Sequence, residues 1–251
     1  MRLEKLRPQE VKDYFDKNTV VIIPTGSIEC HGTHNVLGVD TLAVEKLAEL
    51  IDQKMKDDVL IATVIPYGAC DNLSDYSGTI SIGHDLFYRL VKRVADELFR
   101  HGARRFAFLN GHGGNIGALN GICLELDKKG GLGAILNWWL MSWELNPNWK
   151  GGHGGAVETS AMLAIDPALV RMDLIEEVGL INDIKGLKTS FGSNVAFKSI
   201  NIPIPRSSAS YAKNGWFGPD HPQSATVRWG KEMLQANADY ICEFVKVFRE
   251  S

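Results

Sequence analysis

The sequence predicts an α/β protein, with a mainly parallel central sheet covered by helices on both faces. Short β-branched and apolar runs alternate along the chain with longer stretches of helical spacing, as repeated β-α-β units require. The apolar runs are continuous rather than alternating, which is the pattern of strands covered on both faces. The chain has 251 residues, 45% of them hydrophobic, enough for one large domain spanning residues 1–251. No internal repeat or linker divides it.

The elements follow in order. Thr19 to Pro24 reads as a buried strand, and Thr41 to Met55 as a helix carrying Leu42, Leu47, Leu50 and Ile51. Val59 to Pro66 is a second strand. Leu86 to His101 is a helix with Leu90, Val94 and Leu98 on one face and Gly102 at its end. Phe106 to Leu109 is a third strand. Asn115 caps a helix that runs to about Lys129 and stops at Gly130-Gly131. Gly133 to Trp138 is a fourth strand, and Glu158 to Ile165 a helix that ends before Pro167. Ala225 to Phe248 is the last helix, with Leu234, Ile241, Phe244 and Phe248 as its apolar stripe. Residues 180–220 have little periodicity and many Gly, Ser, Asn and Pro residues. They read as a surface excursion or as a lid or subunit-contact arm.

Composition excludes several functions. The net charge of −3 implies no broad basic face for nucleic acid. No apolar stretch is long enough to span a bilayer, and the charged N-terminus lacks a signal-peptide core. Cys30, Cys70, Cys123 and Cys242 are scattered without a CxxC pair, which fits packing residues in a reducing, cytoplasmic setting.

The chemistry concentrates after the strands. Glu29-Cys30-His31 follows the first, with Asp40 just beyond; His112 follows the third, inside Asn110-Gly111-His112-Gly113-Gly114-Asn115; His153 and Glu158 lie beyond the fourth. Open parallel sheets bind ligands beyond the carboxyl ends of their strands. If extended, Glu29 and His31 point the same way. Mixed carboxylate and imidazole donors suit zinc, manganese or divalent iron better than calcium. Asp40 could bridge two cations, with Glu29 and His112 completing one shell and His31 and Glu158 the other. Water held between two cations loses its proton near neutral pH and becomes a nucleophile. The glycines around His112, Gly113 among them, bring backbone close to a substrate.

At these residues the chain resembles the creatininase (creatinine amidohydrolase) family. The likeness lies in Gly26 to His34 through Asp40, in Ser77-Gly78-Thr79-Ile80-Ser81, in Asn110 to Asn115, and in His153 to Ser160. It implies a three-layer α/β/α fold, a binuclear metal centre with zinc or manganese, cyclic-amide hydrolysis and a homo-oligomer, commonly a hexamer. It implies Glu29, His31, Asp40 and His112 as ligands, His153 as the acid/base residue near the leaving nitrogen, and Trp149 as a pocket wall. His34 is placed with the substrate-binding residues or just behind the ligands. Gly114 stands where true creatininases carry a glutamate ligand, and Glu158 is the natural replacement, as in the Gly-rich branch of the family. Cys30 stands where glutamine is usual. The metal site is therefore expected to persist while the substrate differs from creatinine. Relatives in the family act on a formamidopyrimidine amide, a peptide-derived cofactor precursor and a keto-inositol ring.

The expectation is a cytoplasmic, oligomeric, metal-dependent hydrolase that opens a small cyclic amide or related ring carbonyl. The alternative enzyme is a hydrolase of a cyclic diketone such as a keto-inositol ring, cleaving a C–C bond. Gly111-His112-Gly113-Gly114 fits neither dinucleotide-binding nor P-loop spacing, so a nucleotide-binding module is a weaker reading. A cation serving assembly alone is weaker too, because structural zinc is normally closed off by four protein ligands.

Overall fold

The computed structural model describes residues 1–17, 19–177, 180–190 and 192–251. Its elements are α1 (Pro8–Asp16), β1 (Val20–Thr25), α2 (Val39–Met55), β2 (Val59–Ile61), α3 (Gly83–Arg100), β3 (Arg105–Asn110), α4 (Ile116–Lys128), β4 (Leu132–Asn137), α5 (Trp138–Leu145), α6 (Ala156–Ile165), β5 (Lys188–Thr189), β6 (Asn194–Phe197), β7 (Ile200–Pro203) and α7 (Val227–Arg249). The main sheet is wholly parallel, in the order β2-β1-β3-β4.

The side-chain alternation of the central strands builds the layers. Val20 and Ile22 of β1, with Ala107 and Leu109 of β3, pack against α2, α6 and α7. Val21 and Ile23, with Phe106 and Phe108, face the other way, onto α3 and α4. Both faces are thus buried, and every residue of β1 is buried. This is the three-layer α/β/α arrangement expected from the sequence.

The second strand is shorter than its apolar run. β2 ends at Ile61, and the pairing resumes only at a bridge between Thr25 and Ile65. Pro24 explains the gap. Its carbonyl accepts from Ile65 N–H at 3.0 Å, so its nitrogen lies on the β2 side of the strand. A proline cannot donate there, and residues 62–64 leave the ladder opposite it.

Three further differences have physical reasons. Helix α1, with Pro8 in its first turn and an Arg7–Glu10 capping box, lies in a segment the apolar pattern left unassigned. Helix α5 begins at Trp138, where the fourth strand was expected to end, because WWLMSWEL is apolar all round and shows no helical stripe. Within residues 180–220, β5, β6 and β7 form an antiparallel sheet whose tight turn places Lys198 and Ser199 at φ +46° and +67°. Neither is a usual turn residue for that region, so the hairpin has no sequence signal. No helix among the described residues is long and apolar enough to cross a membrane.

Candidate metal centre

Strands β1 and β3 lie side by side with Thr25 opposite Asn110, so the loops that follow leave the sheet at one level. The first loop carries Glu29 and His31 and is closed by Glu29 N–H donating to Leu37 O at 2.9 Å. It runs into α2, whose first turn holds Asp40. The second carries His112. Thr25 Oγ1 donates to Asn110 Oδ1 at 3.1 Å, and Asn110 Nδ2 to His112 O at 2.8 Å. Asn115 ties the second loop to the first and to the segment after β2, donating to Gly26 O at 3.0 Å and accepting from Ala69 N–H at 3.0 Å. The loops press so closely that a Cβ on Gly111 would stand 2.2 Å from Asp40 O, and one on Gly114 2.0 Å from Ala69 O. Glycine at both positions is a steric requirement. It also rules out a glutamate at position 114, whatever the family pattern.

Five of the expected groups meet in the interior. His112 Nδ1 lies 3.0 Å from Glu29 Oε2 and 3.1 Å from Asp40 Oδ2. His31 Nε2 lies 3.1 Å from Asp40 Oδ1 and 3.6 Å from Glu158 Oε2. Two triads result, Glu29–Asp40–His112 and His31–Asp40–Glu158, each with ligand atoms within 4.8 Å of one another and Asp40 common to both. Glu29, His31 and Asp40 are at most 2% exposed. Both carboxylate oxygens of Glu29, and Nε2 of His31, lack a well-formed hydrogen bond among the described residues. A buried carboxylate left this way is costly unless a cation faces it. The donor set and its orphaned atoms therefore fit divalent metal binding.

The charge balance points the same way. Burial works against a charged His31, yet Asp40, Glu158 and Glu29 raise its pKa to about 10. His112 is likewise raised, against burial, by Glu29 and Asp40. Burial would push Asp40 up, but the two imidazoles hold it well below the usual carboxylate range. Glu158 is raised to about 8 by burial and by Asp40, against the pull of His31. The carboxylates thus draw both imidazoles toward their charged forms, the same pull that a cation between them would answer.

His153 completes the cluster from another direction. Its Nε2 lies 2.7 Å from Cys30 O, so Nε2 carries the proton and donates, leaving the Nδ1 lone pair to face Glu29 Oε1 at 3.7 Å. Its ring stacks on Phe217 at 4.5 Å and lies 4.3 Å from His31. Burial and the charge of His31 press its pKa well below the usual imidazole range. His153 also groups with Glu29 and His31 as a third possible set of metal donors. Glu158, in the first turn of α6, is held by Gly154 N–H at 2.7 Å.

A cavity of about 280 Å³ opens onto these groups. Beyond the candidate ligands it is lined by Asn72, Leu73, Gly113, Trp139, Trp143 and Phe217, among others. Of the residues proposed to meet substrate, Gly113 lines this cavity, and Trp149 and His34 do not. Trp149 sits in a 3₁₀ turn after Pro147 and packs against the apolar core rather than the cavity. His34 is 2% exposed, with Nε2 3.0 Å from Thr159 Oγ1, and burial followed by the His31 charge lowers it to about 4. It lies behind the ligands. Trp139 and Trp143, four apart on α5, form the wall instead, and a recognised helix at 138–145 would have paired them. Phe217 arrives from the excursion with no sequence signal.

Over 168 residues the chain is 33% identical to the mycofactocin precursor peptide peptidase of Mycobacterium tuberculosis, covering 61% of each protein. It is 29% identical over 178 residues to the creatinine amidohydrolase of Pseudomonas putida, covering 62% of this chain and 68% of that one. The match thus spans about three-fifths of the peptidase's length. A solved structure, "Creatininase Mn", superposes with a TM-score of 0.74 at 22% identity, covering 98% of this chain and 97% of the other. The family model for creatinine amidohydrolase matches residues 4–245, and the chain belongs to the creatininase family.

Proposed function

We propose that this protein is a metal-dependent hydrolase of amide bonds in small, neutral, ring-shaped substrates. One observation carries the reading: Glu29, Asp40, Glu158, His31 and His112 converge in the interior, with the Glu29 oxygens and His31 Nε2 lacking a well-formed hydrogen bond among the described residues. Glu29, Asp40 and His112 would hold one divalent ion, and His31, Asp40 and Glu158 a second; zinc or manganese suits these donors, with iron also compatible. Such ions supply Lewis-acid polarisation of a carbonyl and acidify water near neutral pH.

The chain's own residues do the rest. The Cys30 carbonyl holds His153 in one tautomer, with Nδ1 free to take up a proton and pass it to a leaving nitrogen. Trp139, Trp143 and Phe217 offer flat apolar faces to a ring and shut out bulk water. Neither Lys nor Arg lines the cavity, which favours a neutral ligand over an anionic one. The creatinine amidohydrolase likeness supports a cyclic amide. The peptidase likeness supports a second reading, hydrolysis of a peptide amide. A cyclic diketone remains the alternative with a C–C bond. Phe197, Ile200 and Ile202 are exposed on β6 and β7 and support assembly into a homo-oligomer, such as a hexamer.

The test is metal loading followed by a substrate panel. Protein reconstituted with zinc or manganese is expected to hold two ions per chain and to turn over members of a set of lactams, cyclic ureides, formamides, dipeptides and cyclic diketones. Chelation should abolish that turnover. Fewer than two ions, or turnover indifferent to chelator, would sink the proposal.

A further inference from the structure

Asp220 is outside both triads, and its carboxylate meets backbone amides. Oδ1 accepts from Gly152 N–H at 2.8 Å and Oδ2 from Val157 N–H at 2.9 Å. Three glycines close around it. A Cβ on Gly151, Gly155 or Gly218 would stand 2.4, 2.2 or 2.5 Å from an Asp220 oxygen. Gly155 is the N-cap of α6 and has no side chain for the orphan amides of that helix. Asp220 supplies the missing cap from a distant part of the chain, at Val157, the second residue of the helix. Its other oxygen reaches back past His153 to Gly152. One carboxylate therefore brackets the turn that carries His153 and pins the first turn of α6, where Glu158 stands. Gly154, inside the bracket at φ +65°, passes the restraint on by donating to Glu158 Oε2 at 2.7 Å.

We infer that Asp220 is a positioning residue, which sets His153 and Glu158 against His31 and Asp40 without touching the reacting atoms. The inference rests on the proposed metal site. It has a directional consequence. Glu29 and His112 stand on loops tied together by Asn110 and Asn115, with Asp40 in the first turn of α2 beside them, and among the described residues the Asp220 carboxylate bonds to amides of the other segment. Losing Asp220 should therefore loosen one triad and spare the other.

The experiment is calorimetric Mn²⁺ titration of the full chain as wild type, Asp220→Ala and Asp220→Asn, with amide hydrogen exchange on each metal-free protein. In Asp220→Ala the first ion should bind within about threefold of wild type, and the second about ten- to a hundredfold more weakly. Exchange across residues 151–158 should rise about fivefold or more, with residues 26–31 unchanged. Asp220→Asn keeps one acceptor oxygen and should fall between. Gly155→Asp added to Asp220→Ala puts a local carboxylate at the helix cap, in space Asp220 has vacated. It should restore the thermal midpoint and leave the second ion weak, because Gly152 N–H stays unpaired. Full recovery of the second ion in that double variant would reduce Asp220 to a helix cap and overturn the inference. So would an Asp220→Ala protein with wild-type exchange across 151–158, or with both ions weakened alike. A wild type that takes up no second ion would overturn the metal reading instead, and the exchange data would then decide on Asp220 alone.

Discussion

Glu29 and His112 stand on loops that leave the sheet and Asp40 in the first turn of the helix that follows one of them, whereas His153, Glu158 and Phe217 stand on segments that reach the site from outside it. The first group inherits its placement from the β1–β3 ladder, from Asn115 across the two loops, and from glycines that let those loops touch. The second is held by contacts between distant segments: the Cys30 carbonyl and the Phe217 ring on the His153 imidazole, the Phe217 and Gly218 amides on the His153 carbonyl, the Gly154 amide on Glu158, and Asp220 bracketing the turn between them. A site with a backbone-built floor and a side-chain-built wall can keep its reacting centre while its wall diverges. That is a physical route by which one family acts on different amides.

Asp40 is the severest way to break the comparison, because it belongs to both triads. Asp40→Ala should lose both ions and reduce turnover by about a thousandfold or more, and elemental analysis of the purified protein would check the first claim directly. Retention of two ions would mean that the floor does not need its shared carboxylate. A smaller effect sharpens the contrast through folding alone. Asn115→Ala strips partners from two buried backbone groups, Gly26 O and Ala69 N–H. It should cost about 3 kcal/mol in urea unfolding of the metal-free protein. A loss under about 1 kcal/mol would show that the loops hold together without this bridge.

The same division decides what could be read from the amino acids. The four parallel strands were visible as apolar runs, and Glu29, His31, Asp40, His112 and Glu158 as donors following them, since strand periodicity and metal chemistry are local or compositional. That β1 neighbours β3 was not visible, because the ladder is made by residues 85 positions apart, and neither was the distance between Glu158 and His31. The wall was least legible. Trp149 has the position in sequence that a pocket tryptophan needs, but the turn after Pro147 sends it to the core. Helix α5 hid Trp139 and Trp143 by being apolar on every side. Phe217 and Asp220 act only through tertiary contacts, in a stretch whose composition reads as loop.

Trp143 gives the mildest and most discriminating test of the wall. It lies on α5 one turn beyond Trp139, so the two rings share a helix face and the cavity between α5 and Phe217. No candidate ligand hydrogen-bonds to it, so Trp143→Ala should leave two ions bound and the proton chemistry of His153 intact. What it removes is an aromatic face for the substrate ring, worth about 1–2 kcal/mol. The expected result is a KM about tenfold higher, with kcat changed by less than about threefold, for whichever ring substrate the panel identifies. Trp149→Phe is the internal control, since that side chain packs against the core and should leave KM alone. If KM follows Trp149 and ignores Trp143, the wall has been assigned to the wrong helix, even though the floor beneath it stands.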